Sequence, residues 1–249
     1  MKVIASYSIK GGVGKTATSV NLAYGLAAGG LRTLLVDLDP QGASSFYFRI
    51  RAPKGLKPKR FLSGHKRLME YVRGSDYPNL DVLPAKLAYR RFDVLFEQMK
   101  KPQRLLAKAV SAFQDEYDVL VLDAPAGISL LSENVFEAAS AVLVPVIPTT
   151  LSQRTYKQLL DFFKGFRHSR QKLIPFFSMV QSDNQLHTQT MRKMRAEHRQ
   201  FLRTAIPHSL EVEMMGVRRE PVLSFAREDA GAVAYERLCG EVLKHLRAA

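Results

Sequence analysis

The chain has 249 residues, 46% of them hydrophobic, enough for one large α/β domain with a covered sheet and too few for a second independent one. Its 37 Lys and Arg against 23 Asp and Glu leave a net charge of +14, a balance that draws polyanions such as nucleic acid or an acidic membrane leaflet. The single cysteine, Cys239, excludes an internal disulfide framework and a cysteine-cluster metal site within one chain, fits a reducing cytoplasm, and reads most simply as a buried helix residue.

Met1 to Ala5 runs straight into the first motif, leaving no room for a leader peptide, and no apolar run approaches the roughly 20 residues of a membrane span. Val3 to Ile9 is a β-branched run before a glycine-rich turn, and Ala17 to Ala28 sets Val20, Ala23, Tyr24 and Ala27 at helical spacing, which predicts strand, loop and helix. Thr33 to Val36 is continuously apolar and ends in Asp37-Leu38-Asp39-Pro40, as a parallel strand buried on both faces would. Residues 49–67 hold eight Lys or Arg, two prolines, two glycines and no acid, which predicts an exposed, mobile loop. Strand-like runs recur at 81–83, 118–122, 141–146 and 173–180, with helical patterns at about 90–113, 129–138 and 151–166 between them. Region 185–220 mixes a basic helix, from Met191 onward, with a second apolar segment. The alternation predicts a mainly parallel twisted sheet with helices on both faces, formed by residues 1–249 as a single domain, with ligands at the carboxyl ends of the strands.

Lys10-Gly11-Gly12-Val13-Gly14-Lys15-Thr16 falls between the first strand and helix. Its glycines let the backbone turn tightly and aim successive N–H groups, those of Gly11 to Ala17, at phosphate oxygens, while the helix adds its positive N-terminal end. Lys15 would neutralise the β- and γ-phosphates and the Thr16 hydroxyl would ligate Mg²⁺. The general G-x-x-x-x-G-K-[ST] pattern calls for glycine where this chain has Ile9, so the loop is a variant. Asp123 ends an apolar strand and would reach the metal through water; the other reading of it is a helix cap after the strand.

These residues resemble the deviant Walker A signature of the ParA/MinD group of P-loop ATPases. The resemblance continues through Leu35 to Gly42, a second motif, Tyr117 to Gly127, a Walker B segment, Ala141 to Pro148, Ala205-Ile206-Pro207 and Gly231 to Val242. It implies a single-domain P-loop NTPase fold, ATP and Mg²⁺ as cofactors, and partner-stimulated ATP hydrolysis. It assigns Asp39 to orienting or activating the attacking water and Asp37 to the metal's neighbourhood, although either could instead cap the turn before Pro40. It makes Lys10 the signature lysine that crosses a homodimer interface to the partner's nucleotide, as an arginine finger does. It places the base near Gln181, where relatives carry Asn or Asp, and near Pro207 and His208, where many carry Pro-Arg. Ala17 departs from the usual Thr or Ser and offers only its backbone N–H.

ParA-like proteins bind DNA without sequence preference and position cargo, with a ParB-like or other adaptor stimulating hydrolysis, whereas MinD-like ones bind membrane through a C-terminal amphipathic helix. A DNA face needs clustered cations. Arg192, Lys193, Arg195, Arg199, Arg203, Arg218 and Arg219 are the candidates, with the 49–67 loop as a second patch and a partnerless solvated helix as the plain alternative. Glu228-Asp229-Ala230 stand where many partition relatives have a basic residue, so the face would be displaced onto those arginines. The tail from Glu241 to Arg247 reads as core packing rather than a membrane anchor. The leading expectation is a cytoplasmic, nucleoid-associated partitioning ATPase. A MinD-like membrane-cycling regulator, a metal-cluster carrier and a non-hydrolysing regulator are the alternatives.

Overall fold

The computed structural model describes residues 1–55, 57–62, 66–164 and 172–248. In chain order the strands are β1 (Lys2–Ser6), β2 (Thr33–Asp37), β3 (Arg73–Gly74), β4 (Leu80–Leu83), β5 (Val119–Asp123), β6 (Ala141–Val146), β7 (Leu173–Val180) and β8 (Ala205–Pro207). The helices are α1 (Lys15–Ala28), α2 (Ala43–Tyr47), α3 (Pro58–Leu62), α4 (Phe92–Glu97), α5 (Leu105–Val110), α6 (Leu130–Ala138), α7 (Thr150–Lys164), α8 (Gln185–Glu197), α9 (Leu210–Arg218), α10 (Val222–Phe225) and α11 (Ala230–Ala248). The strands form one sheet in the order β3-β4-β2-β5-β1-β6-β7-β8, and every pairing is parallel except β3 with β4.

β2, β5 and β6 are buried along their whole length, which is why their sequences are continuously apolar instead of alternating. Successive residues feed two cores. Val3, Ala5, Leu34, Val36, Leu120 and Leu122 face the one covered by α4 to α8. Ile4, Leu35, Val119 and Val121 face the other, covered by α1, α9, α10 and α11. α1 lies directly against α11 because Gly25 leaves space for Cys239; a Cβ there would sit 2.6 Å from the Cys239 sulfur. Cys239 is buried and burial pushes its thiol up to about 12, as expected of a packing residue. Val242 and Leu246 of the C-terminal helix are likewise buried in this core.

Two expectations about the elements differ from the structure, and one strand was not expected. The helical pattern at 90–113 is broken into α4, α5 and short 3₁₀ turns, because Lys101 takes a left-handed φ of 53° and Pro102 follows it. Part of the basic stretch at 49–67 is core: α3 lies within it, and Phe61 and Leu62 are buried against Tyr89 and Phe92. Its residues 56 and 63–65 lie outside the described residues, as does the end of the helical pattern at 165–166. The β3 pairing has only two residues and no sequence pattern of its own.

A candidate nucleotide site at the carboxyl ends of the central strands

The loop from β1 to α1 is shaped by glycine where the backbone requires it. Gly12 has φ 70° and Gly14 φ 89°, both left-handed, and a Cβ on Gly14 would meet the Ser178 hydroxyl at 2.9 Å. Gly14 is the N-cap of α1, with no side-chain cap and no acid in the first turn. The leading N–H groups of α1 therefore have no side-chain acceptor, which suits an anion. Ser8 Oγ accepts from Lys10 N at 3.3 Å, and Thr18 Oγ1 donates to Gly14 O at 2.7 Å, fixing the two ends of the turn. Lys15 is buried, with Nζ 3.5 Å from Lys10 O. Burial pulls its ammonium below the ordinary lysine range, opposed by Asp123 and Asp39.

Opposite the loop, β2 and β5 end in register, Asp37 beside Asp123. Both carboxylates are fully buried. Asp37 accepts from Ser45 N at 2.9 Å, Ser45 Oγ at 2.7 Å and Asp39 N at 3.2 Å. Asp123 accepts from Ser19 Oγ at 3.0 Å, from Ser44 Oγ and from the Thr16 side chain. Burial, followed for Asp37 by its like-charged neighbour Asp123, pushes both carboxyls well above the ordinary carboxylate range. Asp39 stands one turn out, half-buried, holding Gln41 N at 2.9 Å.

Two adjacent buried carboxylates beside a hydroxyl fit a divalent cation, and the buried lysine near them fits an anion such as phosphate. Among the described residues no three His, Cys, Asp or Glu side chains converge as a self-sufficient metal cage. That matches Mg²⁺, which takes one or two carboxylates and fills its remaining positions with water and phosphate oxygens.

The structure thus brings Lys10, Gly11, Gly12, Val13, Gly14, Lys15, Thr16, Asp37, Asp39 and Asp123 to one end of the sheet. The expected base contacts lie at the same end: Val180 pairs with Pro207, and His208 N donates to Val180 O at 2.9 Å. Gln181 is exposed, its N donating to His187 Nδ1 at 3.1 Å, and His208 faces Glu213 at 3.2 Å. Ala17 is half-buried in the first turns of α1, its carbonyl taken by Asn21. Sequence reasoning missed Ser19, Ser44 and Ser45, whose hydroxyls hold the two aspartates; the only signal was a run of small polar residues after Gly42.

The seven cations do not form one face. α8 packs through Met194 into the core on one side of the sheet, and α9 packs through Met215 into the core on the other. Arg218 lies over the Phe225 ring at 4.8 Å and Arg219 over the Phe46 ring at 4.5 Å. Arg195 is also engaged, 5.4 Å over Phe177 with Nη2 donating to Arg203 O at 3.0 Å. Arg192 and Lys193 of α8 are exposed, as are Arg199 and Arg203 after it, the last with its backbone N–H donated to Glu241 of α11 at 3.1 Å. Asp229 accepts from Gly231 N at 2.8 Å and from Ser209 Oγ at 2.7 Å, so the acid before the last helix ties it to the start of α9.

A family model described as an AAA domain matches residues 1–175. The chain belongs to that family. Within it the chain resembles ParA-type P-loop ATPases: it is 29% identical to the chromosome partitioning protein ParA of Caulobacter vibrioides, over 99% of this chain and 96% of that protein. Two solved structures share the fold. The cobyrinic acid a,c-diamide synthase of Mycobacterium smegmatis with bound ADP and magnesium has a TM-score of 0.80 at 23% identity, covering 99% of this chain and 96% of that one. The ATP complex of Cyanothece McdA has a TM-score of 0.84 at 17% identity, covering 98% and 96%. Among the described residues no helix is long and apolar enough to cross a membrane.

Proposed function

We propose that this chain is a ParA-type ATPase that binds ATP with Mg²⁺, pairs with a second copy around two nucleotides, binds DNA without sequence preference, and hydrolyses ATP to partition or position DNA or another cargo. The observation that carries the reading is the uncapped N-terminus of α1, flanked by Lys10 and Lys15, facing the paired aspartates at the ends of β2 and β5.

The bound metal would neutralise charge on the transferred phosphoryl group. Thr16 and Asp123 would hold it, with Asp37 behind them, while the N–H groups from Gly11 to Ala17 and the Lys15 ammonium hold the phosphates. Asp39, half-buried beside them, would orient water. The Lys10 side chain has no carboxylate partner among the described ion pairs, so it is available to a nucleotide on a second subunit. Gln181, Pro207 and His208 would flank the base.

For DNA, the candidate surface is Arg192, Lys193, Arg199 and Arg203 on and just after α8; Lys193 shares a groove with Arg154 and Lys157 of α7, which Asp161 and Glu197 also line. A stimulating adaptor of ParB type is part of this reading. The deciding experiment combines light scattering with salt-titrated DNA binding, using ATP, ADP or no nucleotide, on the wild type, Lys10→Ala and Asp39→Ala. ATP-dependent dimers, salt-sensitive DNA binding by Asp39→Ala, and slowed hydrolysis by Lys10→Ala support it. ATP-dependent binding to anionic liposomes with none to DNA would replace it by a membrane-cycling regulator, a reading that the burial of Val242 and Leu246 disfavours.

A further inference from the structure

α2 carries the two hydroxyls that hold Asp123 and Asp37, so whatever fixes α2 fixes the metal-facing carboxylates. Its far end is held by Arg219 and followed by Arg49, and both arginines have an unusual backbone. Arg49 has φ 59° and Arg219 φ 57°, two of five non-glycine residues with positive φ among the described residues. An arginine in the left-handed region is strained, and glycine would be easier there.

The two reach across the same seam in opposite directions. Arg219, the C-cap of α9, donates from Nε to Phe46 O at 3.1 Å and lays its guanidinium 4.5 Å over the Phe46 ring. Arg49, three residues after Phe46, sends Nη1 back to Glu220 at 3.2 Å and Nη2 to Asp76 at 3.0 Å. The Arg49 and Asp76 side chains are 42% and 65% exposed, so these pairs add little to stability and do not by themselves account for strain at both ends. At Arg49 the strain is not offset by these screened pairs, and at Arg219 it is held by the contacts with Phe46; strain that neighbours hold in place points to function. α9 begins just past His208 at the base side of the site, whereas α2 lies at the metal side. The arginine seam is the mechanical link between them.

We propose that Arg219 is a positioning residue: its grip on Phe46, braced by Arg49 and Glu220, holds α2 where Ser44 and Ser45 engage Asp123 and Asp37, and so couples the base side of the site to its metal side. The proposal rests on the nucleotide-site reading given above. It also takes Arg219 out of the DNA face.

Arg219→Gly separates this from a merely structural strut, because glycine relieves the left-handed backbone while removing the grip. The measurements are the melting temperature, amide hydrogen exchange of residues 44–47 without nucleotide, and Mg²⁺ titration of fluorescent ATP binding. Expected for Arg219→Gly is an unchanged or raised melting temperature, with exchange at 44–47 faster by about tenfold, as loss of one hydrogen bond to a local segment gives. Half-saturating Mg²⁺ should rise about tenfold on the same basis, with metal-free nucleotide affinity unchanged. Arg219→Lys, which keeps charge and strain but lacks the planar fork, should show the same direction with smaller size.

Exchange at 44–47 equal to wild type in both variants overturns the proposal. So does a melting temperature that falls in step with the other changes. A wild type that binds no ATP with Mg²⁺ overturns the nucleotide reading instead, and the exchange result still decides whether the brace exists.

Discussion

Substituting Gly14 by alanine perturbs the phosphate loop in two ways that can be measured apart. Alanine at φ 89° incurs the left-handed penalty, about 1–2 kcal/mol. Its Cβ would also lie 2.9 Å from the hydroxyl of Ser178, a buried residue of β7 with little room to retreat, adding about 1–2 kcal/mol of overpacking. Gly12 is the internal control: its φ of 70° brings the same backbone penalty, but no atom lies within 4 Å of a Cβ there. Equilibrium denaturation should therefore rank Gly14→Ala below Gly12→Ala in stability. Adding Ser178→Ala should return Gly14→Ala to the level of Gly12→Ala. ATP affinity should fall in both single variants and recover only in part in the double one, because the backbone stays distorted. Equal losses for Gly12→Ala and Gly14→Ala, with no relief from Ser178→Ala, would refute the contact and with it the seating of the loop on β7.

The nucleotide-free fold should lose stability as pH rises from the ordinary carboxylate range to about 7, because folded Asp37 retains a proton that the unfolded chain has released. The unfolding free energy in chelator should therefore fall between about pH 4 and pH 7, by about 2–4 kcal/mol, and Asp37→Asn should flatten that fall. A profile that rises over this window contradicts the buried pair. Phe61→Ala should cost about 3–5 kcal/mol in urea unfolding, since the ring is fully buried within a stretch whose composition suggests a loop; a loss under about 0.5 kcal/mol is what a surface loop would give. For the DNA surface, Arg192→Ala should leave stability unchanged and reduce the salt slope of binding by about 1, one phosphate contact. Arg195→Ala should lower stability by about 1 kcal/mol through its lost packing on Phe177 and its lost bond to Arg203 O. Both are read by thermal denaturation together with binding in graded salt, and interchanged effects would show that the two arginines have been given each other's roles.

Central strands were legible because a strand buried on both faces must be apolar throughout, and β2, β5 and β6 obey that rule. The aspartates stood out for the same reason: a carboxylate ending such a strand has few other uses. Helical periodicity was less informative at 90–113, where apolar spacing runs on through Lys101 and Pro102 although the backbone turns there. Composition misled at 49–67, since eight cations mask the few aromatic and aliphatic side chains that enter the core. Ser44 and Ser45 left only a short run of small residues after Gly42, which does not by itself indicate a partner. Their role exists only because Gly42, at φ 67°, starts a helix that folds them back over β2 and β5.

The divided cations have a topological cause. β8 sits at the sheet edge and is entered from α8 on one side and left through α9 on the other. A connection that crosses an edge in this way separates residues close in sequence, so α8 with Arg192 and α9 with Arg218 pack on opposite faces. Arg218 and Arg219 are then spent on Phe225 and Phe46, whereas on α8 only Arg195 is engaged and Arg192 and Lys193 remain exposed. One basic segment thus supplies two different things: internal bracing on the side that carries α1 and α11, and free charge on the side proposed to meet DNA. Ser178 places β7 beside Gly14, and the same strand leads into α8, so the phosphate loop lies against the strand that precedes Arg192 and Lys193. A rearrangement of the loop on nucleotide binding would have only that short path to travel before it reached the surface proposed to bind DNA.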